Sequence, residues 1–403
     1  MTAGPPRSPD VLVIGAGMAG AAVAYECVKR GLTVAVLDAF TRHDGAGDTA
    51  TMWTQAGASW LNHVANDAVR PLVLAGLARH RTLPDELGMP TEFRSVPSFS
   101  VIHGEADAER IRPLLALGAA HGARGEILGE QDALREEPAL APGVAYGAVR
   151  CQQGHVHPTR LAEAYLSAAE RLGASVRHGV EVRTIPRQGP RVAGVSTSEG
   201  LVQAGAVVVA AGAWTRRLLH SAGADAPVLH THAEILITSP VPPLLRHYVG
   251  VADPARAALE TAMAAPDLAA RWQTDGLEEL LPPAVQLGAI QFQDGHIRLG
   301  QVSRAIPGFT GRPEAAGEER IRAIARRYFP PIADLPATLH GAPVAISTDR
   351  LPIAGRFQEP ANLFVATGYD SPYSYIPALA QRLTAQIAGD PATDLATFRP
   401  DRA

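Results

Sequence analysis

Val11-Leu12-Val13-Ile14 is an apolar run suited to a buried parallel strand, and it leads without a linker into Gly15-Ala16-Gly17-Met18-Ala19-Gly20. From Ala21 to Arg30 the chain reads as a helix, closed by Gly31 at the position that favours a left-handed residue. A second apolar strand, Thr33-Val34-Ala35-Val36-Leu37, then ends at Asp38 and Ala39. Strand, glycine turn, helix and strand follow each other with no chain to spare. They must form one βαβ unit, which commits the N-terminal part of the chain to an α/β fold with a parallel sheet.

The residue types also carry a chemistry. Gly15 permits the tight turn, Gly17 lets the backbone approach a pyrophosphate, and Gly20 lets the helix pack close to the strand. The helix start offers N–H groups and the positive end of its dipole to phosphates. Asp38 is placed to accept hydrogen bonds from ribose hydroxyls and to repel a 2′-phosphate. This is a dinucleotide site, and the motif by itself fits FAD as well as NAD.

Composition removes other classes. A chain of 403 residues predicts about two domains. A net charge of −4 gives no basic footprint for nucleic acid or an anionic membrane. No run is long and apolar enough to span a bilayer, and residues 1–10 are polar and Pro-rich, so a cytoplasmic location is expected. The two cysteines, Cys27 and Cys151, build neither a disulfide framework nor a metal site. His155 and His157 have a strand-type spacing but no third ligand in sight, so no metal is expected. Lys29 is the only lysine, which leaves no pocket lysine for oxygen activation.

Four further stretches resemble the D-amino-acid oxidase-like family of FAD-dependent oxidoreductases, which includes glycine oxidase, sarcosine oxidases and D-amino-acid dehydrogenases. The first is Trp53-Thr54-Gln55-Ala56-Gly57, after Thr51. The second is Gly154-His155-Val156-His157-Pro158 with the following helix and Val180. The third is the strand 206–210 leading to Ala211, Gly212 and Trp214. The fourth is Asp349-Arg350-Leu351-Pro352-Ile353-Ala354-Gly355, followed by 362–367 and Gly368. The resemblance implies FAD as cofactor, held by these segments, with Asp370 and Ser371 at the start of the last helix. Pro377 fits the first turn of that helix, whose apolar stripe is Ile376, Leu379, Ala380, Leu383 and Ile387.

It further implies a Rossmann-type FAD-binding domain assembled from 10–60, 150–215 and 340–395. A second, mainly antiparallel (α+β) substrate domain would come from 61–149 and 216–339. There, Asp294-Gly295 reads as a hairpin turn, and 252–281 as a helical insertion over the pocket.

The chain departs from the family in three places. Relatives with covalently bound FAD use a histidine in the flavin-side segment or a late cysteine. Here Thr54 stands at the histidine position and no cysteine follows Cys151, so FAD is expected to be non-covalent, with His43 and His63 still nearby. Amino-acid-oxidising relatives carry Gly-x-Arg-Pro before the last signature. Here the stretch is Gly341-Ala342-Pro343-Val344, and Val344 falls where the arginine belongs. After Gly368 the family has a small glycine-rich loop, whereas this chain has Tyr369, Asp370, Ser371, Tyr373 and Tyr375. These tyrosines either line a substrate pocket or face solvent at a helix start. Asp370 caps the helix or pairs with a substrate ammonium, with capping favoured.

The function that follows is oxidation of a C–N bond in a small amine or amino-acid-like substrate by hydride transfer to flavin N5, with oxygen or another acceptor taking the electrons. Tyr369, Tyr373 and Arg298 are the substrate-pocket candidates. A carboxylate unsupported at Val344 would need another arginine, such as Arg298, Arg304 or Arg94. The alternatives are an FAD enzyme of the same fold acting on a C–O bond or a heterocycle, and a cofactor-binding protein that has lost its redox step.

Overall fold

The computed structural model describes residues 8–41, 57–58, 60–61, 63–369, 372–390 and 393–402. Its first sheet has six strands with Val11–Ile14 at the centre. Val34–Asp38 and then Ser175–His178 lie parallel on one side. Ala206–Val209 and Leu363–Thr367 lie parallel on the other, and Ile353–Arg356 closes that side antiparallel. Val11 and Val13 enter one apolar core while Leu12 and Ile14 enter another. Both faces of the central strand are therefore covered, which is why it reads as an unbroken apolar run rather than an alternating one.

The glycine helix runs from Met18 to Lys29, three residues earlier than its apolar spacing suggests. It takes in Gly20, where a Cβ would stand 1.9 Å from the carbonyl oxygen of Gly15, so only a hydrogen fits between helix and turn. The helix packs between Pro158–Arg171 and the C-terminal helix Pro372–Ile387. Arg70–His80 packs on that C-terminal helix too, and Leu72, Val73 and Leu77 share its core. This helix lies inside the range read from sequence as substrate domain, yet its apolar side faces the nucleotide sheet's helices. Gly31 ends the glycine helix at φ +84°, as its position predicts.

Pro377 sits inside the last helix rather than in its first turn, because the helix already begins at Pro372. A proline there has no N–H to give to the carbonyl four residues back, that of Tyr373. His80 takes over: its Nε2 donates to the Tyr373 carbonyl at 2.5 Å.

The second sheet has eight strands, ordered Ala337–Ser347, Val228–Thr238, Ile297–Arg304, Ala284–Gln291, Tyr248–Val251, Ser98–Ile102, Gly147–Cys151 and Gly125–Gly129. All neighbours are antiparallel except Tyr248–Val251 with Ser98–Ile102. The Asp294-Gly295 turn forms as read, with Phe292 N–H donating to the His296 carbonyl and Gly295 at φ +90°. Helix Ala315–Tyr328 covers one face through Ile321, Ala325 and Tyr328, which join Leu236, Leu299 and Val302 in a core. The segment after Tyr248–Val251 folds into Ala255–Met263, Pro266–Ala269 and a tight turn Ala270–Gln273.

Candidate active site

A cavity of ≈ 690 Å³ is walled by residues of both sheets. At one end it is lined by Gly15, Ala16, Gly17, Met18, Ala19, Asp38, Ala39 and Val180. Ala211, Gly212 and Trp214 line its middle, and Gly368, Tyr369, Tyr373, Ile235, Gln301, Val344 and Arg256 wall the rest.

The first end fits a dinucleotide on its own geometry. Gly15 turns at φ +102°, and a Cβ there would stand 2.5 Å from the Ala210 carbonyl oxygen. The helix N-terminus carries no side-chain cap on Gly17 and no acid in its first turn, so its N–H groups and dipole face the cavity unopposed by negative charge. Asp38 does more than the motif implies. Its carboxylate accepts from the Ala16 N–H at 2.6 Å and from the Phe40 N–H at 2.8 Å, fixing the glycine turn to the end of the second strand. Its two oxygens retain lone pairs for ribose hydroxyls.

The other residues singled out from sequence fall into three groups. Gly20 and Gly355 lie off the cavity wall: Gly20 is spent on the helix–strand contact, and Gly355 sits in the edge strand against Gln386. Gly57 pairs with His155 in a short two-stranded ladder, likewise off the wall. Thr51, Trp53, Thr54, Gln55, Ala56, Asp370, Ser371 and His43 lie outside the described residues. His63 is buried and meets Tyr375 edge-on. His157 caps its helix by accepting from the Arg160 N–H at 3.3 Å, and among the described residues no group of three or more potential ligands is placed to hold a metal. Cys27 and Cys151 are free and buried, and burial pushes their thiols up to about 11 and about 12.

The tyrosines face inward. Tyr369 and Tyr373 line the cavity, and Tyr375 stands behind them with its ring edge-on to Tyr369 at 5.6 Å. Burial drives the Tyr369 phenol upward, so it remains a protonated hydrogen-bond donor. Among the described lining residues the only carboxylates are Asp38 and Glu181, both on the nucleotide side.

The arginine candidates separate. Arg298 is buried, off the cavity wall, with its guanidinium 4.9 Å over the Phe292 ring, and burial lowers it to about 10. Arg304 is held by three carboxylates, Glu314 at 2.6 Å, Glu279 at 2.9 Å and Glu234 at 3.3 Å. Arg94 donates to the Gln291 carbonyl at 3.2 Å.

Among the wall residues that escape the sequence reading are Gln301 and Arg256. Gln301 is the bulged residue where Glu234 faces Val302 and Ile235 already faces Gly300. Arg256 leaves a trace in sequence, an Arg-x-x-x-Glu pair on a helix whose Leu259 and Met263 share its face.

The profile of the family described as FAD dependent oxidoreductase (DAO) matches residues 10–386. The 4-methylaminobutanoate oxidase (formaldehyde-forming) of Paenarthrobacter nicotinovorans is 26% identical over 395 residues, which cover 96% of this chain and 45% of that protein. The chain thus spans less than half the length of that relative. Glycine oxidase of Pseudomonas aeruginosa is 27% identical over 253 residues, 61% of this chain and 59% of that one. The crystal structure of glycine oxidase from Geobacillus kaustophilus superposes with a TM-score of 0.81 at 24% identity, covering 98% of this chain and 99% of that chain. With the motif, the cavity and the fold in agreement along nearly its whole length, the chain belongs to the DAO family of FAD-dependent oxidoreductases.

Proposed function

We propose that the protein oxidises a C–N bond of a small amine or amino-acid-like substrate. The observation that carries this is the single cavity that joins the dinucleotide end to a wall of Tyr369, Tyr373, Gln301, Ile235 and Val344. The relatives named above, by their own names, act on methylaminobutanoate and glycine. When bound, FAD supplies at flavin N5 the acceptor for a hydride from the carbon beside the nitrogen. Gly15–Ala19 and Asp38 would hold its pyrophosphate and ribose, Val180 its adenine side, and Ala211, Gly212, Trp214 and Gly368 the rest, in a domain built from 10–60, 150–215 and 340–395.

The chain's own part is to orient and to dry the site. No carboxylate lines the substrate side among the described residues, so the amine has to arrive neutral, with its lone pair available. Tyr369 donates a hydrogen bond without drawing a proton from the substrate. FAD is held without a covalent bond: acid precipitation should leave the yellow colour in the supernatant, and colour in the pellet with a mass increment on a peptide would contradict this. The reaction is tested by anaerobic addition of primary, secondary and N-methyl amines and amino acids to the purified holoprotein. Loss of the oxidised flavin band with a C–N substrate supports the reading. Bleaching only by alcohols or heterocycles moves the reaction to those bonds, and no bleaching by any of them, with dithionite still effective, points to lost redox function.

A further inference from the structure

Gln301 stands where the second sheet is irregular on both sides of one strand. On one flank Glu234 faces Val302 and Ile235 already faces Gly300, so Ile297–Arg304 carries an extra residue. On the other flank Val285 faces Val302 but the next pair is Gly288 with Gly300, so there the extra residue belongs to Ala284–Gln291. Gln301 is therefore directly opposed by no residue in either register. Such bulges cost ladder pairing and re-aim a side chain, and they recur beside binding sites. The face is set by Ser303, which directly opposes Ala233, while Ala233 and Ile235 both line the cavity. Gln301, two residues before Ser303, lines it as well. Its Nε2 donates to the Ser303 Oγ at 2.8 Å, and Ser303 is fully buried. That bond ties the nitrogen end of the amide to the sheet, so the carbonyl end, Oε1, is the acceptor left for the cavity. Among the described lining residues Gln301 carries the only side-chain amide, and its neighbours Ile235, Val344 and Ala342 are apolar.

We infer that Gln301 positions the substrate nitrogen: its Oε1 accepts an N–H of the neutral amine, which selects primary and secondary amines over tertiary ones. A neutral acceptor holds an N–H without favouring the ammonium form, as a carboxylate would, so the nitrogen lone pair stays available. As the C–H bond breaks and its electron pair leaves with the hydride, that lone pair becomes the second bond of C=N. The N–H persists in the cationic iminium product, and its bond to Oε1 strengthens as the positive charge develops. The inference rests on the amine-oxidising reading above, and equilibrium binding separates the two because it needs no turnover. The probes are indole and benzofuran, alike in shape, with an N–H in the first and an ether oxygen in the second. They are titrated into the FAD-loaded protein and followed by calorimetry and by flavin band shifts. The wild type should bind indole about fivefold tighter or more, the worth of one neutral hydrogen bond. Q301L should erase that preference by weakening indole alone, with benzofuran affinity and FAD content unchanged, and Q301E, which keeps an acceptor oxygen, should retain it. A wild type that does not prefer indole, or a Q301L protein that keeps the preference, overturns the assignment. If Q301L loses FAD or benzofuran binding, the S303A variant decides: it frees the amide and should weaken indole severalfold with benzofuran unaffected, and an unchanged indole affinity overturns the assignment. The expected binding pattern in a protein whose flavin no amine bleaches would support Gln301 as the N–H acceptor and overturn the C–N oxidation alone.

Discussion

His80 is fully buried, and its imidazole exists to satisfy one backbone oxygen. Burial lowers it to about 4, so it is neutral at pH 7 and its single N–H sits on Nε2, the atom facing the Tyr373 carbonyl. Losing that donor leaves a buried carbonyl unpaired and should cost about 1–3 kcal/mol, with a further loss from the void. The cause is Pro377, so the two residues should be coupled. In a P377A background the new N–H at 377 can take the carbonyl, and H80A should then cost distinctly less. Urea unfolding of the four proteins in a double-mutant cycle measures this, and strictly additive effects would show that the bond does not compensate for the proline. Tyr373 is a cavity residue, so this pair also sets where the cavity wall stands.

At the scale of elements, one inserted residue decides which face of the second sheet each of two arginines occupies. Arg298 and Arg304 are six apart on one strand, and plain alternation puts them on the same face. Opposite them stand Ile237 and His232, only five apart, because Gln301 is the extra residue of a bulge. The two arginines are thereby sent to opposite faces, Arg304 into its cluster with Glu234 beside helix Ala315–Tyr328. R304M should cost about 3–5 kcal/mol, since Glu234 is left as a buried charge, while carboxylate ligands should bind as before. E234L with R304M should recover much of the loss. Denaturant midpoints and ligand titration check both parts. The parallel strands and the glycine turn were legible because each obeys a local rule. The bulge was not, since nothing in Gly300-Gln301-Val302 marks an unpaired residue until the neighbouring strand is in place. Arg256 was hidden for a similar reason: the helix over the pocket could be read, but not which of its residues would pass the edge of the apolar contact.

The molecule as a whole buries several histidines in neutral form. Desolvation lowers His80 and His230 to about 4 and His155 to about 3, from an ordinary value of 6.5. Their folded values lie below the unfolded one. The stability they permit is therefore complete above pH 6.5, and is lost as pH falls from 6.5 toward about 4, where the unfolded chain takes up protons the folded chain refuses. Each should contribute a slope of about 1.4 kcal/mol per pH unit in that window. Carboxylates held by arginine, such as Glu86, protonate lower, while Glu26 and Glu234, raised by burial, take up their protons more readily in the folded chain and only partly offset the histidines. Urea midpoints at pH 7.5, 6 and 5 should fall steeply over the last two, and a flat profile would mean that these rings are hydrated or paired in ways that stabilise their charged form.

The central strand Val11–Ile14 has Ala206–Val209 as a neighbour, which in turn is flanked by Leu363–Thr367. A ribosome delivers the first of these strands long before the last. During synthesis the glycine turn and its helix emerge early, with Val34–Asp38 close behind to pair one edge of the central strand, but its other edge stays open until Ala206–Val209 has been made. The nascent chain must carry that one open apolar edge through the interval, because the strand that covers it is still untranslated. Contacts this distant in sequence form slowly and leave aggregation-prone surface exposed meanwhile. The same strand order, which brings Gly15 and Gly368 to one cavity, thus makes that cavity late to form.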